Sequence, residues 1–492
     1  MAQRRRPPGN LTGPGKLDAV TDLMDKLTED LKSTQLSPPE RDSALEELKL
    51  YGRDPRDARP IFTNEGIETL TRHAFDSTSD TTCRNALKVL CNALFLRSET
   101  RQMFVDLGYE AKACSKLQSG SWNDEFLVSR LILLTTYETN INLVKLIDQH
   151  QLADTMVQNL ERHAKRLDEK AARKTAYFDP MEGMALEETL KLLFNVTNFC
   201  SERVSKFAPA VSHIVTLLCK DDIPATRTPL VPPFSLFINA LVNLDLSSGP
   251  AQAALFPASE PEVSANRLID LLDLALKAYP ESELEQTTSP LVCVILSVYE
   301  HAPDAVRRAT QGRLLPTEDD RKNVLGKGDT LPARLLRNST NALAPQLRTA
   351  ISQLLFDMSD KDATKFVKNV GYGFASGFLF QNQIPIPEAA SEGYDVSSGS
   401  SEGASSNIRK AVNPITGQFL DAEQSISELP EMTDEEKERE AEKLFVLFER
   451  LKKTGVMSVQ NPIEKAVQEG RFEELPDDYE EDGDGDATTK KV

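Results

Sequence analysis

Residues 87–95 read LKVLCNALF, and related phrases return as LKLLFNVTN at residues 190–198 and FINALVNL at residues 237–244. A weaker echo, LRTAISQLLFD, occupies residues 347–357. Each phrase has a helical period and is mostly apolar, with an amide or a carboxylate near its middle. A helix that is apolar around most of its circumference must pack between neighbouring helices. The phrases therefore predict an all-α protein, an α-solenoid of the armadillo or HEAT type.

The sequence around these phrases keeps the same helical period. The first predicted helix has apolar residues at three- and four-residue steps, which are Leu17, Val20, Met24, Leu27 and Leu31. From there to about residue 380, apolar helical segments alternate with Pro, Gly or Asp breaks, and longer gaps between helices are expected at 164–183, 220–233 and 312–332. The alternation of strands and helices that marks a nucleotide-binding α/β sheet is not found.

The composition changes after residue 380 and predicts a different organisation there. Residues 391–407 contain ten Ser or Gly in seventeen positions, a composition that cannot bury a core. Residues 473–486 contain nine acidic residues and no basic residue. The predicted domains are N-terminal helices at 1–59, a superhelix at 60–380, a flexible linker with an NPITG element at 381–430, C-terminal helices at 431–475 and a disordered acidic tail at 476–492.

Composition and charge exclude several classes of function. The chain has 492 residues, with 57 Lys or Arg against 76 Asp or Glu, which gives a net charge of −19. Binding to phosphate backbones requires clustered basic side chains, so we expect no nucleic-acid partner. The longest apolar run is about half of the roughly 20 residues that a transmembrane helix needs. Six scattered cysteines without a C-x-x-C pair favour a reduced, cytoplasmic protein in which cysteines fill the core.

Motifs for catalysis, metals and nucleotides are not found. The five histidines are isolated in the sequence, and no P-loop occurs. The glycine-rich run at 371–377 follows a helical segment instead of a strand, so it is predicted to cap a helix and make a tight turn rather than hold a dinucleotide. We therefore expect a binding protein without a cofactor or metal, and not an enzyme with catalytic residues of its own.

The asparagines of the repeated phrases have two readings. Asparagine in the middle of a helix lowers helix propensity, so its return in related settings needs a reason. In the first, the amides grip the backbone of a bound peptide, as asparagines do on the inner helices of armadillo repeats. In the second, they cap or bridge neighbouring turns within the protein. The sequence leaves both readings open.

Two C-terminal stretches resemble a known family. VGYGFASG at 370–377 follows KFVK at 365–368 and resembles the end of the helical-repeat domain of the synembryn family, in particular a fungal member. NPITG at 413–417 and the helical segment at 432–451 then follow in that family's order. The repeats that contain Asn92 and Asn195 are also similar to the family's repeats. Synembryns are cytosolic exchange factors and folding chaperones for the α subunits (Gα) of heterotrimeric G proteins.

The resemblance implies a fold, a partner and a mechanism. The expected fold is an armadillo or HEAT superhelix whose concave groove binds the C-terminal helix of a GDP-bound or nascent Gα. Moving that helix loosens the nucleotide site, so GDP leaves and GTP can bind without a catalytic residue in the exchange factor. The protein would be a monomer, cytoplasmic, and present at the cell cortex only through Gα.

Two sets of partner-binding residues follow from the resemblance. The groove residues are Asn92, Arg130, Asn195, Asn239 and Asn243. The second set is an apolar stripe on the predicted C-terminal helix, which contacts either the nucleotide domain of Gα or the solenoid itself, and consists of Leu444, Leu447, Phe448 and Leu451.

The alternative function is a non-enzymatic armadillo scaffold or adaptor for another peptide. Nuclear-import adaptors use repeated W-x-x-x-N arrays, but this chain has one tryptophan, Trp122, and Phe at position 126. Adhesion scaffolds have basic grooves, whereas Arg130 and Lys191 do not form a basic stripe along the repeats. A pull-down of purified Gα with and without GDP separates the two functions.

Overall fold

The computed structural model describes residues 11–173, 179–223, 228–385, 412–413 and 416–423. Short 3₁₀ helices span Arg59–Phe62, Ser201–Phe207 and Asp320–Lys322. In chain order the α-helices are α1 Pro14–Ser33, α2 Pro38–Tyr51, α3 Asn64–Phe75, α4 Asp80–Leu96, α5 Glu99–Asp106, α6 Glu110–Leu117, α7 Trp122–Thr135, α8 Leu143–Gln149, α9 Leu152–Arg173, α10 Pro180–Phe199, α11 Ala210–Lys220, α12 Phe234–Asn243, α13 Gly249–Leu255, α14 Val263–Ala278, α15 Glu281–His301, α16 Asp304–Leu314, α17 Leu331–Asn338, α18 Pro345–Asp357, α19 Ala363–Val370, α20 Tyr372–Gln381 and α21 Leu420–Glu423.

The helices from α5 to α18 are arranged as three-helix repeats. The repeats are α5–α7, α8–α10, the 3₁₀ helix at 201–207 with α11 and α12, α13–α15, and α16–α18. Each third helix packs against the third helix of the next repeat, and α4 begins this series. We call α4, α7, α10, α12, α15 and α18 the third-helix row. The predicted all-α, armadillo-type solenoid is confirmed, and the four repeated phrases lie on α4, α10, α12 and α18 of this row.

One continuous apolar core joins the described helices. It begins at Val20 on α1 and runs through the repeats to Leu379 on α20. The N-terminal helices α1 and α2 therefore share the core of the solenoid. Because each third helix contributes apolar side chains to both of its neighbours, the row is stabilised mainly by hydrophobic burial between repeats.

Helix caps explain where several helices of the row begin. Ser79 and Ser121 precede α4 and α7, and each hydroxyl accepts a hydrogen bond from the backbone N–H three residues later. Asp179 does the same for α10 from the N–H of Met181, with Pro180 at the first helical position. These are preferred residues at helix N-termini, so local sequence specifies the starts of the helices that form the row.

One predicted gap, 164–183, is wrong because α9 continues to Arg173 and α10 begins at Pro180. The sequence from Lys165 onward is rich in charge and lacks an apolar stripe, so hydrophobic periodicity does not predict the helix there. Ion pairs within α9 stabilise it instead, from Lys165 to Glu161 and from Arg166 to Glu169. Charged side chains facing solvent are compatible with a helix even when they bury little.

The glycine-rich run contains the predicted helix cap. Gly371 has φ +84°, a backbone conformation that glycine adopts at little cost, and its N–H donates to the carbonyl of Val367 at 2.8 Å. α19 ends there, so the element before the glycines is a helix, as predicted. The residues after Gly371 start α20, which extends the turn into a further helix.

The cysteines mostly fill the core, as predicted. Burial raises the pKa of Cys91 and of Cys114 to about 12, so these thiols stay protonated. Cys83 and Cys200 are buried as well, whereas Cys293 is exposed on α15 and is the exception. Over the described ranges, no helix is both long enough and apolar enough to cross a bilayer.

A buried polar cluster connects three helices of neighbouring repeats. Glu125 on α7 is 1% exposed and accepts hydrogen bonds from His163 on α9 at 3.0 Å and from Thr189 on α10 at 2.7 Å. Arg162 on α9 forms an ion pair with Glu125, and its guanidinium lies 4.2 Å from the ring centroid of Trp122. Burial alone would raise the pKa of Glu125, but the bonds from His163 and Thr189 and the charge of Arg162 lower it.

We expect Glu125→Gln to destabilise the fold by about 3 kcal/mol at pH 7, because it breaks a buried ion pair. A lowered carboxylate pKa contributes stability above the pKa of the unfolded state, and this contribution is lost as the pH falls through the folded-state value. The variant should therefore lose less stability than the natural chain between pH 7 and acid. Urea unfolding followed through the single tryptophan, Trp122, measures both effects.

The matched control is Glu161→Gln, on the solvent-facing side of α9. Glu161 forms a surface ion pair with Lys165, and such exposed pairs contribute little, so its replacement should change stability much less than that of Glu125. Equal unfolding curves for the two variants would show that the Glu125 cluster does not stabilise the repeats.

Candidate functional site

The third-helix row leaves one side of its helices partly exposed. On α4, α7, α10 and α12, half-exposed or exposed residues recur at three- and four-residue steps, so each set forms a stripe along its helix. We call these stripes together the third-helix face. It includes Lys88, Asn92 and Phe95 on α4; Phe126 and Arg130 on α7; Met184, Lys191 and Phe199 on α10; and Asn239 and Val242 on α12.

Arg130 connects three helices at this face. Its guanidinium lies 5.6 Å from the ring centroid of Phe95 on α4 and 6.0 Å from that of Phe126 on α7. One of its nitrogens lies 3.3 Å from the carboxylate of Glu188 on α10, which Lys191 also approaches at 3.0 Å. The side chain of Arg130 is 33% exposed, so it is held in place by the protein and still reaches solvent.

Two of the predicted groove asparagines are used within the fold. Asn195 is 8% exposed, and its amide donates to the hydroxyl of Thr136 at the end of α7, at 2.8 Å. Asn243 is half-buried and donates to the carbonyl of Phe194 at 3.1 Å and to the hydroxyl of Thr197 at 3.3 Å. These bonds run from each third helix to the preceding one. The two amides therefore serve the fold, but they join different helices instead of neighbouring turns.

The other two asparagines are placed differently. Asn92 and Asn239 are half-exposed, and the described residues offer no hydrogen bond to either amide group. An amide that is fixed on a helix and open to solvent can donate to and accept from the backbone of a ligand. Asn92, Arg130 and Asn239 thus lie on the third-helix face, whereas Asn195 and Asn243 connect the helices that form it.

The sequence reasoning missed the exposed apolar residues of this face. Phe95 is 59% exposed, Phe199 is 54% exposed and Val242 is 43% exposed. Phe95 and Val242 each follow a half-exposed asparagine by three residues, which places them one helical turn further along the same stripe. Phe199 follows the buried Asn195 by four residues and is the last residue of α10. The sequence analysis names the asparagines as groove candidates but not these apolar residues, and the three- and four-residue spacing is the signal that could have identified them.

Positive charge gathers at the α4 end of the face. Lys88 is half-exposed, and its nearest polar partner among the described residues is the side-chain oxygen of Asn85, at 3.4 Å. Partial burial and then the like charge of Lys49 on α2 lower the pKa of Lys88. A ligand with negative charge near α4 would relieve this repulsion.

Among the described residues, no group of three or more His, Cys, Asp or Glu lies close enough to hold a metal ion. The third-helix face instead combines apolar side chains, free amides and a few charges. That combination suits a peptide or helix as ligand.

Comparison with protein families gives a match along most of the chain. Residues 44–471 match the model of the family described as guanine nucleotide exchange factor synembryn, or Ric8. The chain belongs to the synembryn family. The predicted resemblance is therefore confirmed, and the match includes both the repeats and the segment after them.

Individual relatives agree with this assignment. A synembryn-like chaperone of Schizosaccharomyces pombe is 32% identical over 194 residues, which cover 38% of this chain and 36% of that protein. Chaperone Ric-8A of Gallus gallus is 26% identical over 479 residues, which cover 88% of this chain and 87% of that protein. Among solved structures, one from a study of cadherin and beta-catenin has a TM-score of 0.44 and 13% identity, over 73% of this chain and 70% of that one, and it does not bear on the family assignment.

The second set of predicted partner residues in this synembryn lies outside the residues that the structure describes. The set consists of Leu444, Leu447, Phe448 and Leu451. The predicted C-terminal helices at 431–475 and the acidic tail also lie outside the described residues. The NPITG element is described in part, through Asn413, Thr416 and Gly417.

The two kinds of asparagine should respond differently to substitution. We expect Asn195→Ala to lower the free energy of unfolding by about 1–3 kcal/mol, because it leaves a buried polar group without its partner. Asn92→Ala should change it by less than about 0.5 kcal/mol, as is usual at surface positions. Thermal and urea unfolding of the two variants measure the difference. Equal losses of stability would contradict the distinction drawn from burial.

Proposed function

We propose that this synembryn binds G-protein α subunits through the third-helix face and acts as an exchange factor and folding chaperone for them. The family match along residues 44–471 carries the proposal. The family is described as guanine nucleotide exchange factors, and the relatives from chicken and fission yeast are named as chaperones. The third-helix face supplies a surface of suitable chemistry.

The face suits a helical ligand with an apolar side. Phe95 on α4, Met184 and Phe199 on α10, and Val242 on α12 are exposed apolar residues of the row. Neighbouring packed helices lie about 8–10 Å apart, so anchors on α4 and α10 can be met by residues about three to four turns apart on a bound helix. Aromatic anchors contribute most when binding fully desolvates them, so Phe95 is the expected centre of the contact.

Polar groups around these anchors would set the position of the ligand. Asn92 and Asn239 offer free amides, and Arg130 offers a guanidinium whose orientation Glu188 already fixes. Because Arg130 is restrained before binding, it loses less side-chain entropy than a free surface arginine would. Lys49 and Lys88 favour a ligand with negative charge at the α4 end.

Exchange by this route requires no catalytic group on the synembryn. If the C-terminal helix of Gα binds the third-helix face only when it has moved away from the body of Gα, binding favours the state of Gα that releases GDP. GTP then reverses the shift by binding the closed state. The same contact with a nascent Gα would hold a helix that is not yet packed, which is a chaperone activity.

The alternative is an armadillo scaffold for a different peptide. The charge around Arg130 argues against the strongly basic or strongly acidic ligands of such scaffolds, since Arg130 and Lys191 are balanced by Glu188 and Glu187. Binding of purified Gα by the full chain, which is weakened by excess peptide from the Gα C-terminus, decides between the two.

Substitution on the face should weaken binding without unfolding the protein. We expect Phe95→Ala to raise the dissociation constant for a Gα C-terminal peptide about tenfold or more, because it removes an aromatic anchor. Asn92→Ala should add a smaller loss. Fluorescence anisotropy of a labelled peptide measures both, and the melting temperature should stay nearly unchanged because Phe95 is 59% exposed.

Phe380→Ala is the matched control, since Phe380 is 82% exposed on α20 and lies outside the third-helix row. Its peptide affinity should equal that of the natural chain. If Phe95→Ala and Phe380→Ala bind the peptide equally well, the third-helix face is not the binding site.

The C-terminal segment is proposed to make a second contact with Gα. A chain ending after residue 425 keeps every described helix, so it should bind the Gα C-terminal peptide as tightly as the full chain does. Only the full chain, with the stripe that contains Leu444 and Phe448, should strongly accelerate GDP release. Equal release rates from the two chains would mean that the third-helix face alone accounts for exchange.

A further inference from the structure

Beyond α20 the described chain resumes on the surface of the last repeats. We call residues 412–413 and 416–419 the returning segment. Its Thr416 carbonyl accepts from the N–H of Leu325 at 3.2 Å, and its Phe419 N–H donates to the carbonyl of Arg321 at 2.9 Å. The side chain of Gln418, which is 1% exposed, donates to the carbonyl of Lys322 at 3.2 Å.

The returning segment is also folded upon itself. The N–H of Asn413 donates to the carbonyl of Gln418 at 2.7 Å, and the N–H of Gly417 donates to the carbonyl of Asn413 at 2.8 Å. The side chain of Asn413 accepts from the N–H of Thr416 at 3.2 Å. These bonds close a compact turn, and Val412 and Phe419 face each other in an antiparallel bridge.

Arg321 joins this turn to the end of α19. One terminal nitrogen of its guanidinium donates to the carbonyl of Gly417 at 3.0 Å. The other donates to the carbonyls of Lys368 at 3.0 Å and Asn369 at 2.8 Å. A guanidinium is planar and rigid, so a single side chain holds three carbonyl groups from two distant parts of the chain in fixed positions.

Only glycine fits at position 417. Its φ is +68°, and a Cβ atom there would lie 2.3 Å from Cδ1 of Leu325, whose side chain is 3% exposed. Any other residue would strain the backbone and push Leu325 out of its packed position. Gly417 therefore allows the close approach on which the bonds to Arg321 and Leu325 depend.

We propose that the returning segment is a latch that fixes where the C-terminal part of the chain leaves the solenoid, with Arg321 and Gly417 as its positioning residues. The latch rests on the proposed function, since its purpose is to keep the C-terminal stripe near a Gα bound to the third-helix face. Sequence order supports this purpose, because the NPITG element directly precedes the segment predicted to reach Gα.

The length of chain between the solenoid and Leu444 determines how much the latch should strengthen binding of Gα. With the latch closed, about 21 residues separate Glu423 from Leu444, and with the latch open about 59 residues separate Pro385 from Leu444. For a flexible tether, which the composition of 391–407 predicts, effective concentration falls roughly as the −3/2 power of length. Opening the latch should therefore lower the effective concentration of the C-terminal stripe at least about fivefold, because the helix predicted from residue 431 shortens the flexible part of both tethers by the same number of residues.

The first experiment tests the latch by itself, without Gα. Hydrogen exchange of the backbone amides of Leu325, Gly417 and Phe419 is compared in the natural full-length chain, in Arg321→Ala and in Gly417→Ala. Both variants should exchange these amides faster, while amides of α7 and α10 keep their protection. Unchanged exchange at the three amides would overturn the latch, whatever happens with Gα.

The second experiment tests its role in binding. Both variants should bind whole Gα at least about fivefold more weakly, but should bind the isolated Gα C-terminal peptide as the natural chain does. A merely structural role of Arg321 would weaken both ligands alike or neither. If the natural chain binds no Gα at all, the proposed function fails, and the first experiment still judges the latch.

Two further variants make the comparison specific. Lys322→Ala removes a neighbouring charge that pairs with Asp319 at 2.7 Å on the surface, and it should leave both affinities unchanged. Adding Leu325→Ala to Gly417→Ala makes room for the new methyl group and should restore part of the lost amide protection and of the lost Gα affinity. If Lys322→Ala weakens Gα binding as much as Arg321→Ala, the positioning role of Arg321 is wrong.

Discussion

Each third helix of this protein must bury apolar side chains against the third helices on either side of it. The phrase LKLLFNVTN is apolar around most of its helix, so α10 would expose a large hydrophobic surface if α7 or α12 were missing. The repeats therefore stabilise one another along the row, and none of them has an independent core. The apolar core that runs from α1 to α20 is the result.

Apolar packing alone would leave the relative rotation of neighbouring helices weakly defined. Buried hydrogen bonds between polar groups define that rotation. Glu125 bonds to groups on α9 and α10, Asn195 bonds to the end of α7, and Asn243 bonds to the backbone of α10. Each bond requires one rotation and one register of its helix, because a misplaced helix would leave a polar group buried without a partner. The third-helix face then points consistently to one side, with Phe95, Arg130 and Asn239 available to a ligand.

The two proposed contacts with Gα, through the third-helix face and through the C-terminal stripe, depend on different physical properties. The third-helix face is built from helices of a packed core, which suits a preformed site that loses little entropy on binding. In the proposed mechanism the C-terminal stripe acts through a tether, so its contribution would be set by chain length and by the point of attachment. A single arginine at the end of the repeats is positioned to control that point of attachment.

Much of this protein could be predicted from local sequence. Helical period, Ser79 and Ser121 as caps, and the recurrence of apolar phrases are properties of neighbouring residues, so they predict the helices and the solenoid. The order of VGYGFASG, NPITG and the segment after them is also visible in the sequence alone, and it predicts the family. α9 was misjudged beyond residue 164 because its charged surface residues carry no apolar period.

Only the tertiary structure decided what equivalent residues do. Asn92 and Asn195 occupy the same place in the repeated phrase, yet the first is half-exposed and the second is buried against Thr136. Nothing near Asn195 in sequence differs enough to show this, because its partner lies 59 residues earlier on a different helix. The latch is a stronger case, since Arg321 and Gly417 are 96 residues apart. Burial and hydrogen bonding depend on which surfaces meet after folding, and a local pattern does not contain that information.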